Sequence, residues 1–120
     1  MNQFSLGFVP RLWKRFLCSL RGIGTAWRSE EPFRLEILLF IVLGPASFVV
    51  GDTAVEIAIL WFSIVFVLVT ELLNTGVEYA IDRIGKEWNA ISRDAKDICS
   101  AAVLFSLINL VTVWGIVLVF

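Results

Sequence analysis

The chain has 120 residues, 58% of them hydrophobic, with a mean hydropathy of +0.85. A soluble domain of this size cannot hide that much apolar surface. The net charge is −1, which excludes the basic footprint of a nucleic-acid binder. His is absent and the two Cys, Cys18 and Cys99, have no metal or redox spacing, so both are expected as free thiols.

Residues 1–10 lack the basic start and long apolar run of a cleaved leader. Residues 11–28, RLWKRFLCSLRGIGTAWR, carry Leu12, Phe16, Leu20, Ile23 and Trp27 on one helical stripe. Arg11, Lys14, Cys18, Arg21, Thr25 and Arg28 follow another. This predicts an amphipathic helix lying on a membrane surface, its basic side towards anionic lipid or a phosphate ligand. Ser29 is expected to cap the next helix, with Pro32 in its first turn. Three runs, about 33–50, 54–81 and 98–120, approach the roughly 20 apolar residues that cross a bilayer. The first is short unless its helix begins nearer Pro32, and Gly44 and Pro45 are expected to kink it. Asp52 and Thr53 are expected to cap the second. No repeat or linker divides the chain, so residues 1–120 read as a single domain.

Lys and Arg concentrate before the first span and between the second and third, at Arg83, Lys86, Arg93 and Lys96. The 51–56 turn has none. Basic residues gather on the cytoplasmic side. The N-terminus and the 82–97 loop are therefore expected in the cytoplasm, with the 51–56 turn and the C-terminus on the far side.

The second helix raises the functional question. Residues 54–70 carry one charge, Glu56. They rise about 26 Å, nearly the roughly 30 Å of the hydrocarbon core. Glu71 is thereby expected at its cytoplasmic edge, with the helix continuing to about Gly85. Glu71, Asn74, Glu78 and Asp82 then form one acidic stripe. Such groups near lipid are costly and mark function. Their mutual repulsion calls for a cation opposite, either Mg²⁺ or Lys96. Carboxylates beside a Lys suit a metal-bound phosphate, and the deepest one is placed to take a proton from a hydroxyl at headgroup level. Two other readings use the same stripe: polar contacts that set helix register in an oligomer, and a small ion or proton channel. In the third helix Ser92 is the expected N-cap. Ala101, Ala102 and Ser106 offer a small-residue packing face, and Trp114 reads as an interfacial anchor. No soluble-kinase motif, neither a phosphate-binding glycine loop nor an HRD or DFG set, is present.

The stretches TELLNTGVEYAIDRIG and AKDICSAAVL resemble the prokaryotic diacylglycerol kinase family, small integral-membrane lipid kinases. Their usual pattern is close to E-[IL]-[IL]-N-[ST]-[AG]-[IV]-E-x-x-x-D, followed by A-K-D. AWRSEEPFRLE and RLWKRF fit the family's elbow and surface helix, and the resemblance runs from Arg11 to Trp114. It implies an all-α membrane protein with three transmembrane helices plus a surface helix, assembled as a homotrimer with active sites shared between subunits. It also implies a multi-pass protein of the bacterial inner membrane that transfers the γ-phosphate of Mg-ATP to a lipid hydroxyl. By position in the motif, Glu71 takes the general-base role and Asn74 supports it. Glu30 and Glu78 take the metal positions. Arg11, Cys18, Glu87, Trp88, Asn89, Lys96 and Asp97, with Glu30 and Glu78, fall at ATP-contacting positions. Arg11, Glu36, Glu71, Ser100 and Trp114 fall at lipid-substrate positions. Two residues depart from the pattern: Cys18 stands where a Tyr is usual, and Leu35 where a Gln is common. The acceptor is expected to be diacylglycerol, with undecaprenol as the alternative. AWRSEEPFRLE is closer to the diacylglycerol type and lacks the basic or His-bearing run expected of the other.

Overall fold

In the computed structural model, which describes residues 7–120, four helices follow one another and no strand occurs among the described residues. They are α1 (Phe8–Ser29), α2 (Glu31–Val50), α3 (Ala54–Ile84) and α4 (Ala90–Val119). The last three are long and apolar enough to cross a membrane. The leader expectation at residues 1–10 falls largely outside the described residues.

On α1 the predicted apolar stripe is left about half uncovered by the described residues. Leu12, Phe16, Leu20, Ile23 and Trp27 are all exposed, and Ala26 alone is buried. That is the condition of a helix lying on a membrane surface, where lipid covers the apolar side. Ser29 does not cap α2. Its hydroxyl donates to the Thr25 carbonyl at 2.9 Å and so closes α1, since a Ser in a last helical turn can bond back to that turn. Glu30 alone breaks the helix, in extended backbone (φ −122°, ψ 106°), and occupies the N-cap position of α2. Pro32 fits the first turn, so α2 starts at Glu31 and gains the length that the 33–50 run lacks.

α2 continues unbroken through Pro45. Gly44 serves packing instead: a Cβ there would stand 3.2 Å from the Trp61 ring. Trp61 meets Phe40 and Phe48 edge-on, with centroids 5.1 and 6.1 Å away. The turn to α3 is tight. Thr53 and Glu56 form a reciprocal capping box: the Glu56 N–H donates to Thr53 Oγ1 at 3.2 Å, and the Thr53 N–H to Glu56 Oε2 at 2.9 Å. Asp52 adds its N–H to the same carboxylate at 2.7 Å rather than capping the helix itself. At Gly51 a Cβ would lie 2.7 Å from Ile57 Cγ1 and 2.9 Å from the Ile57 backbone nitrogen. Backbone cannot step aside as a side-chain end can. Gly51→Ala is therefore expected to cost about 1–3 kcal/mol, read as a fall of several degrees in thermal unfolding in detergent. An unchanged midpoint would show that this turn is looser than its contacts.

α3 ends at Gly85, as expected, although in extended backbone (φ 177°). α4 begins eight residues before the expected span, at Ala90. Its cap is Asn89 and not Ser92: the Asn89 side-chain oxygen accepts from the Ile91 and Ser92 N–H groups at 2.9 and 3.1 Å.

α3 packs between α2 and α4, most extensively against α4. Ile64, Val67 and Leu110 form the buried centre, flanked by Leu39, Phe40, Leu43, Leu107 and Trp114. Ser106 is fully buried and lies 2.9 Å from the Thr70 hydroxyl, whereas Ala101 and Ala102, expected on the same face, are exposed. Helical spacing puts residues 102 and 106 on one side, but of these only Ser106 is covered. Trp114 is also not a free interfacial anchor. Its indole N–H donates to Ser63 Oγ at 3.2 Å and its ring packs against the core. Thr70–Ser106 and Ser63–Trp114 are thus two polar links between α3 and α4 at lipid depth.

Candidate active site at the elbow of α1 and α2

The elbow fixes Glu30. Its N–H is tied to the Ala26 carbonyl at 2.9 Å, its carbonyl accepts from Arg34 at 3.3 Å, and Phe33 buries itself just beyond. The Glu30 side chain makes no capping bond. It faces α3 instead, where partial burial, and then the Glu78 carboxylate, push its carboxyl above the ordinary range.

Glu71 is 5% exposed, in the middle of the stripe of α3 that faces α2, between buried Val67 and Thr75. It lies within electrostatic reach of both Glu30 and Glu78, and of Glu36 on α2. Four carboxylates from two helices and the elbow thus gather in one place. No Lys or Arg among the described residues pairs with any of them. Asn74 sits within the group, its amide 3.4 Å from Glu78 Oε1. Its own Oδ1 is buried without a partner, as is Glu36 Oε2. Buried polar atoms are ordinarily paired, so this is a site with hydrogen-bonding and charge capacity to spare.

The expected cation, Lys96, meets the last member of the acidic stripe. Its Nζ is 2.8 Å from Asp82 Oδ1, pinning the start of α4 to the end of α3. Around that pair Glu87, Trp88, Asn89 and Asp97 line one small cavity of about 240 Å³. Trp88 is exposed and carries the Arg93 guanidinium 5.7 Å from its ring centroid. Asn89 has its side-chain oxygen committed to the cap, leaving its amide donors free.

Other predicted residues are not brought to the carboxylates within one chain. Arg11 is exposed near the start of α1, about 28 Å along that helix from Glu30 at a rise of roughly 1.5 Å per residue. Cys18 is exposed on α1, and Ser100 is exposed on α4. Trp114 pairs with Ser63, about 12 Å along α3 from Glu71. Among the described residues no group of three His, Cys, Asp or Glu is close enough to hold a metal ion by itself.

The polar links Ser63–Trp114 and Thr70–Ser106, and the buried Thr75, were not singled out from the sequence. A signal existed. Ser63, Thr70 and the acidic Glu71, Glu78 pair follow seven-residue spacing on α3, so polar residues recur along one side of the helix between Ser63 and Glu78.

The model of the family described as prokaryotic diacylglycerol kinase matches residues 17–118. A diacylglycerol kinase of Haemophilus influenzae is 41% identical over 85% of this chain and 86% of its own length. One of Escherichia coli is 39% identical over 98% of this chain and 96% of its own length. One of Pseudomonas aeruginosa is 35% identical, covering 83% and 81%. These similarities take in all three long helices and the elbow.

Proposed function

The chain belongs to the prokaryotic diacylglycerol kinase family, and from that premise we propose that it transfers the γ-phosphate of ATP to the hydroxyl of diacylglycerol, giving phosphatidic acid. The observation that carries the reading to particular residues is the gathering of Glu30, Glu36, Glu71 and Glu78, none of them in an ion pair with a Lys or Arg of the described residues, with Lys96 within electrostatic reach of Glu78.

Glu71 is the general base. It is the most enclosed carboxylate of α3, at the depth of a lipid headgroup, and it accepts the proton of the attacking hydroxyl. Asn74 holds the Glu78 side chain and keeps an acceptor free for the substrate. Glu36 orients the lipid from α2. Glu30 and Glu78 fit Mg²⁺. The donor set is all oxygen, the two carboxylates lie within electrostatic reach of each other, and such ions take one or two carboxylates and complete their shell with phosphate oxygens. A cage of three protein ligands is not needed. When bound, the ion neutralises charge on the transferring phosphate. Because the Glu30 carboxyl holds its proton above the ordinary range, Mg²⁺ competes with that proton, and apparent Mg²⁺ affinity falls as pH drops through the same range.

Lys96 and Asp97, with Glu87, Trp88 and Asn89, lie on the nucleotide side, and Arg11 and Cys18 reach it from α1. The distance of Arg11 and Trp114 from the carboxylates of their own chain supports sites completed by a neighbouring subunit. The uncovered apolar surface of α4 supports it too. A homotrimer in the bacterial inner membrane, with the carboxylate end in the cytoplasm and the C-terminus outside, accommodates both. Ser100 and Trp114 then line the lipid side of a neighbour's site.

The test is direct. The detergent-purified protein is given Mg-ATP and, separately, diacylglycerol and undecaprenol, and labelled phosphate is followed into lipid. Transfer to diacylglycerol in preference is expected. Transfer to undecaprenol in preference reverses the substrate assignment, and no transfer to either leaves a channel or a structural subunit.

A further inference from the structure

The acidic stripe of α3 ends on Asp82, a carboxylate with no role so far. Lys96 Nζ lies 2.8 Å from Asp82 Oδ1, its only ion pair among the described residues. Glu78 is also within electrostatic reach of Lys96. Glu78 and Asp82 are four residues apart, so their side chains leave α3 on the same face, one above the other. A Lys ammonium is a compact charge on a flexible four-carbon stem. The step between the two carboxylates is about 6 Å along the helix, within the swing of that stem. Lys96 thus has two carboxylates in range, and it holds the outer one.

The choice matters because the inner one, Glu78, is assigned to the metal. An ammonium and Mg²⁺ seek the same carboxylate oxygens. Lys96 on Glu78 would cancel the charge that attracts the ion. Two contacts bear on this. From one turn below, the Asn74 amide reaches Glu78 Oε1 at 3.4 Å, and a neutral amide leaves the Glu78 charge intact. From one turn above, Asp82 engages Lys96. The charges that act on Asp82 are those of Lys96 and Lys86, not those of the carboxylate cluster. The Lys96 and Asp82 side chains are 38% and 46% exposed, and ion pairs that open add little stability. A pin between helices is therefore a weak account of Asp82.

We propose that Asp82 withholds Lys96 from Glu78, which keeps the metal carboxylate open and leaves the ammonium beside the phosphates. The proposal rests on the metal assignment above. Asp82 is a positioning residue: it acts through Lys96 and touches neither ion nor substrate.

Mn²⁺, standing in for Mg²⁺, is titrated alone into the detergent-purified protein, with the free ion read by electron paramagnetic resonance. The proteins compared are the unsubstituted one, Asp82→Glu, Asp82→Asn, Lys96→Gln and the double substitution Asp82→Asn with Lys96→Gln. Asp82→Asn is expected to weaken Mn²⁺ binding by about two- to fivefold, the scale of one exposed ion pair. Asp82→Glu keeps the carboxylate and with it the affinity. Lys96→Gln is nearly silent alone, because Asp82 already neutralises the ammonium, yet in the Asp82→Asn background it restores what was lost. Simple removal of charges predicts additive effects instead. In turnover at saturating ATP, Asp82→Asn raises the Mg²⁺ concentration for half-maximal rate by the same factor, and kcat recovers as Mg²⁺ displaces the ammonium. Additive effects on Mn²⁺ binding, or an unmoved affinity in Asp82→Asn, overturn the proposal, while turnover by the unsubstituted protein still upholds the kinase reading. Equal losses of thermal stability in Asp82→Asn and Lys96→Gln, without coupling in Mn²⁺ binding, make the pair a helix pin and also overturn it. Failure of the unsubstituted protein to bind Mn²⁺ overturns the metal assignment and this proposal together.

Discussion

Glu71→Gln is expected to lower kcat by roughly 10²- to 10⁴-fold, the range that a positioned proton acceptor contributes. Gln has nearly the same volume and keeps the packing between Val67 and Thr75, but it cannot take the proton. KM for Mg-ATP should stay within a few-fold, because Glu30 and Glu78 remain. Thermal stability should hold or rise. Glu71 is a buried carboxylate among other carboxylates and in no ion pair among the described residues, and replacing it by a neutral amide relieves that repulsion. Loss of activity with undiminished stability is the signature of a residue kept for chemistry. Near-normal turnover would remove Glu71 from the base role, and Glu36, the carboxylate facing it from α2, would be the next candidate.

Glu78→Gln should act on a different parameter. Its expected effect is a rise of about tenfold or more in KM for Mg-ATP, on the scale by which disturbed metal sites lose affinity. The defect should shrink as Mg²⁺ is raised. Glu30→Gln should behave alike, and the double substitution should cost less than the sum of the two, because both side chains share one ion. Titrating Mg²⁺ at fixed ATP separates these outcomes. A fall in kcat at unchanged Mg²⁺ dependence would place Glu78 outside the metal site.

The contrast between Glu71 and Glu78 was legible before any coordinates. Residues 54–70 are long enough to carry Glu71 to the hydrocarbon edge, and seven further residues carry Glu78 about 10 Å beyond it. The elbow was partly legible. Pro32 marked the start of α2, but Ser29 was misassigned because a capping hydroxyl and a hydroxyl bonded back to its own helix look alike in sequence. Asn89 was hidden behind Ser92, a second residue able to cap, three positions further on. At each of these two helix ends more than one polar residue stood in reach of the orphan N–H groups, and only the backbone conformation chose between them.

Trp114 shows another limit. Its place near the end of an apolar run favours an interfacial anchor, and nothing local announces Ser63, more than fifty residues earlier, as its partner. Thr75 is similar: Thr in a helix is ordinary, and only its buried, unpartnered hydroxyl makes it notable.

By itself, the sequence determined the class, the number of spans, the amphipathic helix and the stripe of carboxylates. These follow from run length and helical period, which depend only on neighbours along the chain. Tertiary structure alone decided which stripe faces which. It brought Glu30 from the elbow and Glu36 from α2 to Glu71 and Glu78. It joined α3 to α4 through Ser63, Thr70, Ser106 and Trp114, and it set Lys96 against Asp82. Those outcomes depend on how whole helices rotate and lean against one another, a choice set by the sum of many packing contacts between residues distant in sequence.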